Sequence, residues 1–186
     1  MGQRGFTSPA DAFMARFMLA IFGGLALALP VILFHVWKFV AAALKPQERK
    51  YVAIYGPGSL ILFVIGASFA YFVAVPFSLA FLLQYGTETI VPMITVKSYI
   101  SFFGTMMMAF GVVFEMPLIL LFLTQIGIAT PAFLVQKRRY AVVFILIVSA
   151  IITPPDFISQ LIVAVPLLVL YEIGVLVSKL TYKNRF

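Results

Sequence analysis

Polar and charged residues fall along this chain at intervals that leave five nearly uninterrupted apolar runs. They are roughly Phe13–Val36, Tyr51–Leu83, Tyr99–Gln125, Phe133–Ile152 and Ile158–Val177. About 20 apolar residues rise ~30 Å as a helix, which is the hydrocarbon thickness of a bilayer. A helix also closes its own backbone hydrogen bonds, as lipid requires. The pattern predicts an all-α polytopic membrane protein, with residues 1–186 forming a single transmembrane domain of five spans.

The runs are unequal. The second is longer than one crossing needs, so it is expected to tilt or to extend past the lipid. In the fourth, only Tyr140–Ile152 is cleanly apolar, ~20 Å of helix. Thr130-Pro131 reads as an N-cap followed by Pro at the first helical position. That helix is expected to start outside the lipid and to hold Lys137, Arg138 and Arg139 at the interface. The last two helices are expected to be short, thinning the bilayer locally or sitting off-centre. Pro30, Pro57, Pro76, Pro117 and Pro166 lie inside or at the ends of spans. Each removes a backbone donor, which predicts kinked helices in a curved bundle. "QYGTETIVPMITVKSY" reads as a true loop and "TPPDFISQ" as a tight reversal. No linker, low-complexity tract or internal repeat divides the chain.

Composition agrees with the spans. The chain is only 10% charged, against ~25% for soluble domains, and its mean hydropathy is +1.13. The absence of Cys rules out a disulfide framework, a thiolate metal site and a Cys nucleophile. A net charge of +7 invites a nucleic-acid reading, but the positions of the charges argue against it. Lys38, Lys45, Arg49 and Lys50 follow the first run, Lys137, Arg138 and Arg139 precede the fourth, and Lys179, Lys183 and Arg185 follow the fifth. All fall on one side of the membrane, leaving Arg4, Arg16 and Lys97 on the other. The positive-inside rule makes the crowded side cytoplasmic, with the C-terminus inside and the N-terminus outside. An N-out first span with no preceding signal is unusual and points to a further span upstream of Met1. Ala26-Leu27-Ala28 resembles a signal-peptide cleavage site, but the run continues apolar to Val36 and so reads as a span.

Few residues could carry chemistry. The acids are Asp11, Glu48, Glu88, Glu115, Asp156 and Glu172, and the single histidine is His35. No HExxH motif or phosphate-binding loop occurs, so no catalytic residue, metal or cofactor is expected and an enzyme is not. His35 beside Trp37 reads as an amphipathic ring at the interface. Glu115 stands mid-span in "FGVVFEMPLILLF", where an ionised carboxylate costs a few kcal/mol. Helical spacing sets Gly104, Met108, Gly111 and Glu115 on one face. Such a face suits a partner helix or a water-filled groove, or else an internal bond that glues two helices. A proton-coupled transporter or channel using Glu115 is the alternative function this residue raises. Glu48 lies among cations in "KPQERKY", and Asp156 after Pro154 and Pro155 reads as an N-cap for the last helix.

Four segments in order, "LPVILFHVWKFVAAALKPQERKYV", "GASFAYFVAVPFSLAFL", "SYISFFGTMMMAFGVVFEMPLIL" and "RRYAVVFILIVSAIITPPDFISQLIVAVPLLVLYEIG", resemble the TatC family of the twin-arginine protein translocase. The family has six spans forming a concave bundle with both termini in the cytoplasm, so the resemblance implies that one N-terminal span and the segment before it are lacking here. It implies a non-enzymatic receptor for folded precursors bearing Arg-Arg signal peptides, driven by the proton-motive force. Glu48 with Arg49, flanked by Phe39 and Trp37, would form the signal-peptide site. Glu115 would lie in an intramembrane polar groove. Thr153 and Gln160 would contact the single helix of TatA or TatB, with Pro154, Pro155 and Asp156 as a structural loop. The implied setting is a bacterial inner membrane or a comparable organellar one, with several copies per complex.

Overall fold

The computed structural model describes residues 9–42, 44, 46, 49–84, 95–153 and 157–183. Among these there are only helices: α1 (Pro9–Ala42), α2 (Arg49–Phe69), a π-helical segment (Ala70–Ala74), α3 (Val75–Gln84), α4 (Val96–Phe114), α5 (Met116–Gln125), α6 (Pro131–Gln136), α7 (Arg138–Ile152) and α8 (Phe157–Lys183). Four stretches, Ala10–Ala42, Val52–Phe81, Val96–Gln125 and Phe157–Tyr182, are long and apolar enough to cross a bilayer.

Proline chemistry explains where the long rods are interrupted. Pro76 cannot donate to the carbonyl of Phe72, and its ring crowds that carbonyl. The backbone widens instead, and the N–H of Val75 bonds to the carbonyl of Ala70, five residues back. Pro117 acts likewise on Val113, and the helix breaks at Glu115, whose N–H turns to the carbonyl of Val112 at 3.1 Å. The helix continues through Pro30, Pro57 and Pro166.

The fourth expected span begins as the sequence predicts. Thr130 Oγ1 accepts from the N–H of Phe133 at 3.2 Å, and Pro131 occupies the first turn. A turn at Lys137 then divides α6 from α7. At 15 residues, α7 rises ~22 Å, short of a ~30 Å core. The last helix departs from the expectation of a short one. It runs 27 residues, past Val177 to Lys183. Tertiary contacts hold the extension: the Ser178 and Thr124 hydroxyls lie 2.6 Å apart, and Gly174 lets α8 press against Pro117 and Leu120. Before α6, Gly127 at φ +80° closes α5, with the N–H of Ile128 bonding to Leu123 and that of Gly127 to Thr124.

Two cores result. The larger joins the π segment, α4, α7 and α8 through Ala70, Ala74, Met106, Phe110, Ile145 and Leu167. The smaller joins α1, α2 and α5 through Trp37, Tyr55, Leu118 and Phe122. Glycines set the closest approaches. A Cβ on Gly66 would strike the backbone carbonyl of Phe110, and one on Gly111 the ring of Phe63. Gly58 faces open space.

Two stability predictions follow from this packing. Gly66→Ala should cost about 1–3 kcal/mol, because a backbone carbonyl cannot step aside. Gly58→Ala should be neutral or stabilising by about 0.5–1 kcal/mol. Unfolding of the full chain in detergent reads both, and equal losses at the two sites would contradict the packing. Trp37→Phe should cost about 1 kcal/mol through its lost donor. In a double-mutant cycle, adding Ser59→Ala should then cost little more.

Candidate functional site

Among the described residues three polar places stand out against the apolar background. The first lies where α1 and α2 meet at the end that carries their connection. Trp37 is buried there, and its Nε1 donates to Ser59 Oγ at 3.0 Å. Ser59 passes the bond on to the carbonyl of Gly56 at 2.8 Å. The indole packs edge-on against Phe122 with ring centres 5.4 Å apart, and tilted against Tyr55 at 5.9 Å. Trp37 is thus a fixed post. Phe39, two residues on, is 80% exposed, and Arg49 opens α2 as an exposed side chain. Glu48 lies outside the described residues. Trp37, Lys38 and Arg49 also border a groove of about 680 Å³ between α1 and α2. His35 turns back on its own helix, with Nδ1 2.8 Å from the carbonyl of Val31.

The second place is Glu115 at the α4–α5 break. It is 8% exposed, and its Oε1 has no hydrogen-bond partner among the described residues. The internal helix-to-helix bond weighed as one role for this residue therefore has no partner for that oxygen here. Its small-residue face is met from within the chain: Gly104 abuts Phe22 of α1, and Gly111 abuts Phe63 of α2. Tyr55 packs on Phe122 and Phe63 on Gly111, so the antiparallel register sets Glu115 opposite the turn of α2 between Ser59 and Phe63.

The third place joins the end of α7 to the start of α8. Thr153 is buried, and its N–H and Oγ1 both donate to the carbonyl of Ser149, at 2.9 and 2.8 Å. Ser149 Oγ and Gln160 Nε2 each donate to the carbonyl of Leu146 at 2.9 Å. Thr153 and Gln160 are therefore brought together, around backbone carbonyls of α7. The expected loop residues Pro154, Pro155 and Asp156 lie outside the described residues. At the opposite end of these helices, Arg138 Nη2 donates to Glu172 Oε2 at 2.7 Å, and the Tyr171 hydroxyl donates to the carbonyl of Leu134 at 2.8 Å. Lys137 sits over the rings of Phe133 and Tyr140. Among the described residues no group of three or more His, Cys, Asp or Glu could hold a metal.

Sequence reasoning missed Ser59, Ser149 and the Arg138–Glu172 pair. A buried indole N–H needs an acceptor, and that signal alone could have started a search for Ser59. The pairing across 34 residues of Arg138 with Glu172 left no local trace.

Comparison with known proteins assigns the family. The model described as "Sec-independent protein translocase protein (TatC)" matches residues 3–166. The chain is 42% identical to the Sec-independent protein translocase protein TatC of Carboxydothermus hydrogenoformans, over 97% of this chain and 75% of that protein. It is 41% identical to TatCy of Bacillus subtilis, over 96% of this chain and 69% of that protein. A crystal structure of the twin arginine translocase receptor TatC superposes with a TM-score of 0.83 at 37% identity, covering 94% of this chain and 78% of the other. With the all-helical bundle and its membrane-length helices, these matches settle the class: the chain is a multi-span, non-enzymatic component of protein transport and belongs to the TatC family of Sec-independent protein translocase proteins.

Proposed function

We propose that the end of the α1–α2 pair receives the Arg-Arg signal peptide of folded precursor proteins. Glu48 would supply the anion, since guanidinium and carboxylate make charge-assisted, often bidentate bonds. The observation that carries this reading is the end of α1, where Phe39 is exposed and Trp37 is locked in place beside Arg49 of α2, which Glu48 directly precedes in the sequence. A rigid post beside an exposed ring suits a site that must hold a flexible peptide without reorganising.

The charge distribution supports a cytoplasmic location for this end and for the C-terminus, with Met1 on the far side of a bacterial inner membrane. On this reading Glu115 gives the bilayer-embedded part of the path one acceptor still to be satisfied. Gln160, half-buried at the start of α8, offers its remaining amide capacity to a TatA- or TatB-type helix, with Thr153 behind it. Several copies would assemble with those partners into a complex driven by the proton-motive force.

In the full chain, Glu48→Ala or Glu48→Lys is expected to abolish crosslinking of an Arg-Arg signal peptide; undiminished crosslinking would remove Glu48 from the site. Gln160→Leu is expected to weaken co-purification with a TatA- or TatB-type protein while the fold persists. Unchanged recovery would show that Gln160 serves only its bond to Leu146.

A further inference from the structure

The groove between α1 and α2 runs well beyond its mouth at Trp37 and Arg49, the only part of it that the peptide reading uses. It runs from Lys38 and Arg49 at one end to Pro30 and Leu60 at the other. From Arg49 to Leu60 the helix rises ~16 Å, about half of a ~30 Å hydrocarbon core. The groove is therefore one leaflet deep. Its walls between the ends include Leu33, Phe34, Val52 and Pro57, and a Cβ on Gly56 would meet nothing. Among the described residues both charged groups lining it, Lys38 and Arg49, are cations, and both are exposed at the interfacial end. The first turn of α2 adds the partial positive charge of a helix N-terminus there.

An Arg-Arg peptide is a poor occupant. Its charges would meet the like charges of Lys38 and Arg49. An anion on an apolar tail fits both ends. Basic pockets between transmembrane helices on this side of a membrane hold anionic headgroups.

We propose that this groove binds one anionic phospholipid of the adjacent leaflet. Its phosphate lies between Lys38 and Arg49, and an acyl chain follows the apolar walls to the level of Pro30 and Leu60. The site goes beyond the signal-peptide reading and does not involve Glu48. Lipid and peptide would occupy neighbouring positions on the α1–α2 pair, the lipid along the groove and the peptide at its mouth.

Native mass spectrometry of the full chain in detergent tests this, titrating phosphatidylglycerol and phosphatidylcholine with identical acyl chains. The native chain should prefer phosphatidylglycerol. Lys38→Gln with Arg49→Gln should lower phosphatidylglycerol affinity roughly thirtyfold and leave phosphatidylcholine affinity unchanged. Gly56→Leu, which fills the groove without touching charge, should weaken both lipids. Lys137→Gln and Glu48→Ala should leave the preference in place, so loss of the peptide reading at Glu48 would not be mistaken for loss of this one. The proposal falls if the double variant keeps its affinity, or if Lys137→Gln lowers it equally, which would mean diffuse surface attraction. It also falls if Gly56→Leu blocks Arg-Arg peptide crosslinking while sparing lipid binding.

Discussion

Pro117 imposes the constraint on which the rest of the bundle depends. By withholding one backbone donor it ends α4 at Phe114 and restarts the helix at Met116, leaving Glu115 on the turn between them. Before the break, the rod packs on α1 and α2 through Gly104, Gly111, Phe110 and Phe114. After it, α5 packs along α8, where Gly174 sits against Pro117 and Thr124 meets Ser178. One helix thus serves two groups of partners, and the break is where it changes allegiance. Leu118 and Phe122 still reach back to Tyr55 and Trp37, with Leu121 and Ile126 packed beside them.

In hydrocarbon there is little hydrophobic gain in pressing helices together, so close packing and internal hydrogen bonds must hold them. The chain follows that rule. Gly66, Gly104, Gly111 and Gly174 each admit a neighbouring ring or backbone. Ser59, Ser149, Thr153 and Thr124 spend their hydroxyls on carbonyls or on one another. Glu115 Oε1 is an exception among the described residues, and it lies where the backbone ladder is already open. An acceptor left over at that depth is expensive unless water, a proton or a partner reaches it. That cost is the physical reason for the proposal that Glu115 acts inside the bilayer.

Much of the fold was legible because lipid leaves the chain few options. Apolar length and proline position gave the helical class, the Pro117 break and the start of α6 at Thr130-Pro131. The rest depended on distant partners. The last helix outruns its apolar signal because Ser178 finds Thr124 across 54 residues. The partner of the Trp37 indole was not legible because Ser59 lies 22 residues away. Helical spacing found the face of Gly104, Gly111 and Glu115, but not that Phe22 and Phe63 would cover its glycines. Thr153 and Gln160 turn their donors to the carbonyls of Ser149 and Leu146, which no motif announces.

The central claim is that the break at Pro117 sets the α1–α2 group against the α8 group. The chain lacks cysteine, so spin labels can be placed cleanly at Ile61→Cys and Val169→Cys, both exposed positions. Pulsed electron paramagnetic resonance on the full chain in lipid should give one narrow distance. Pro117→Ala, which restores the missing donor, should shift or broaden it. Superimposable distributions with and without Pro117 would contradict the account.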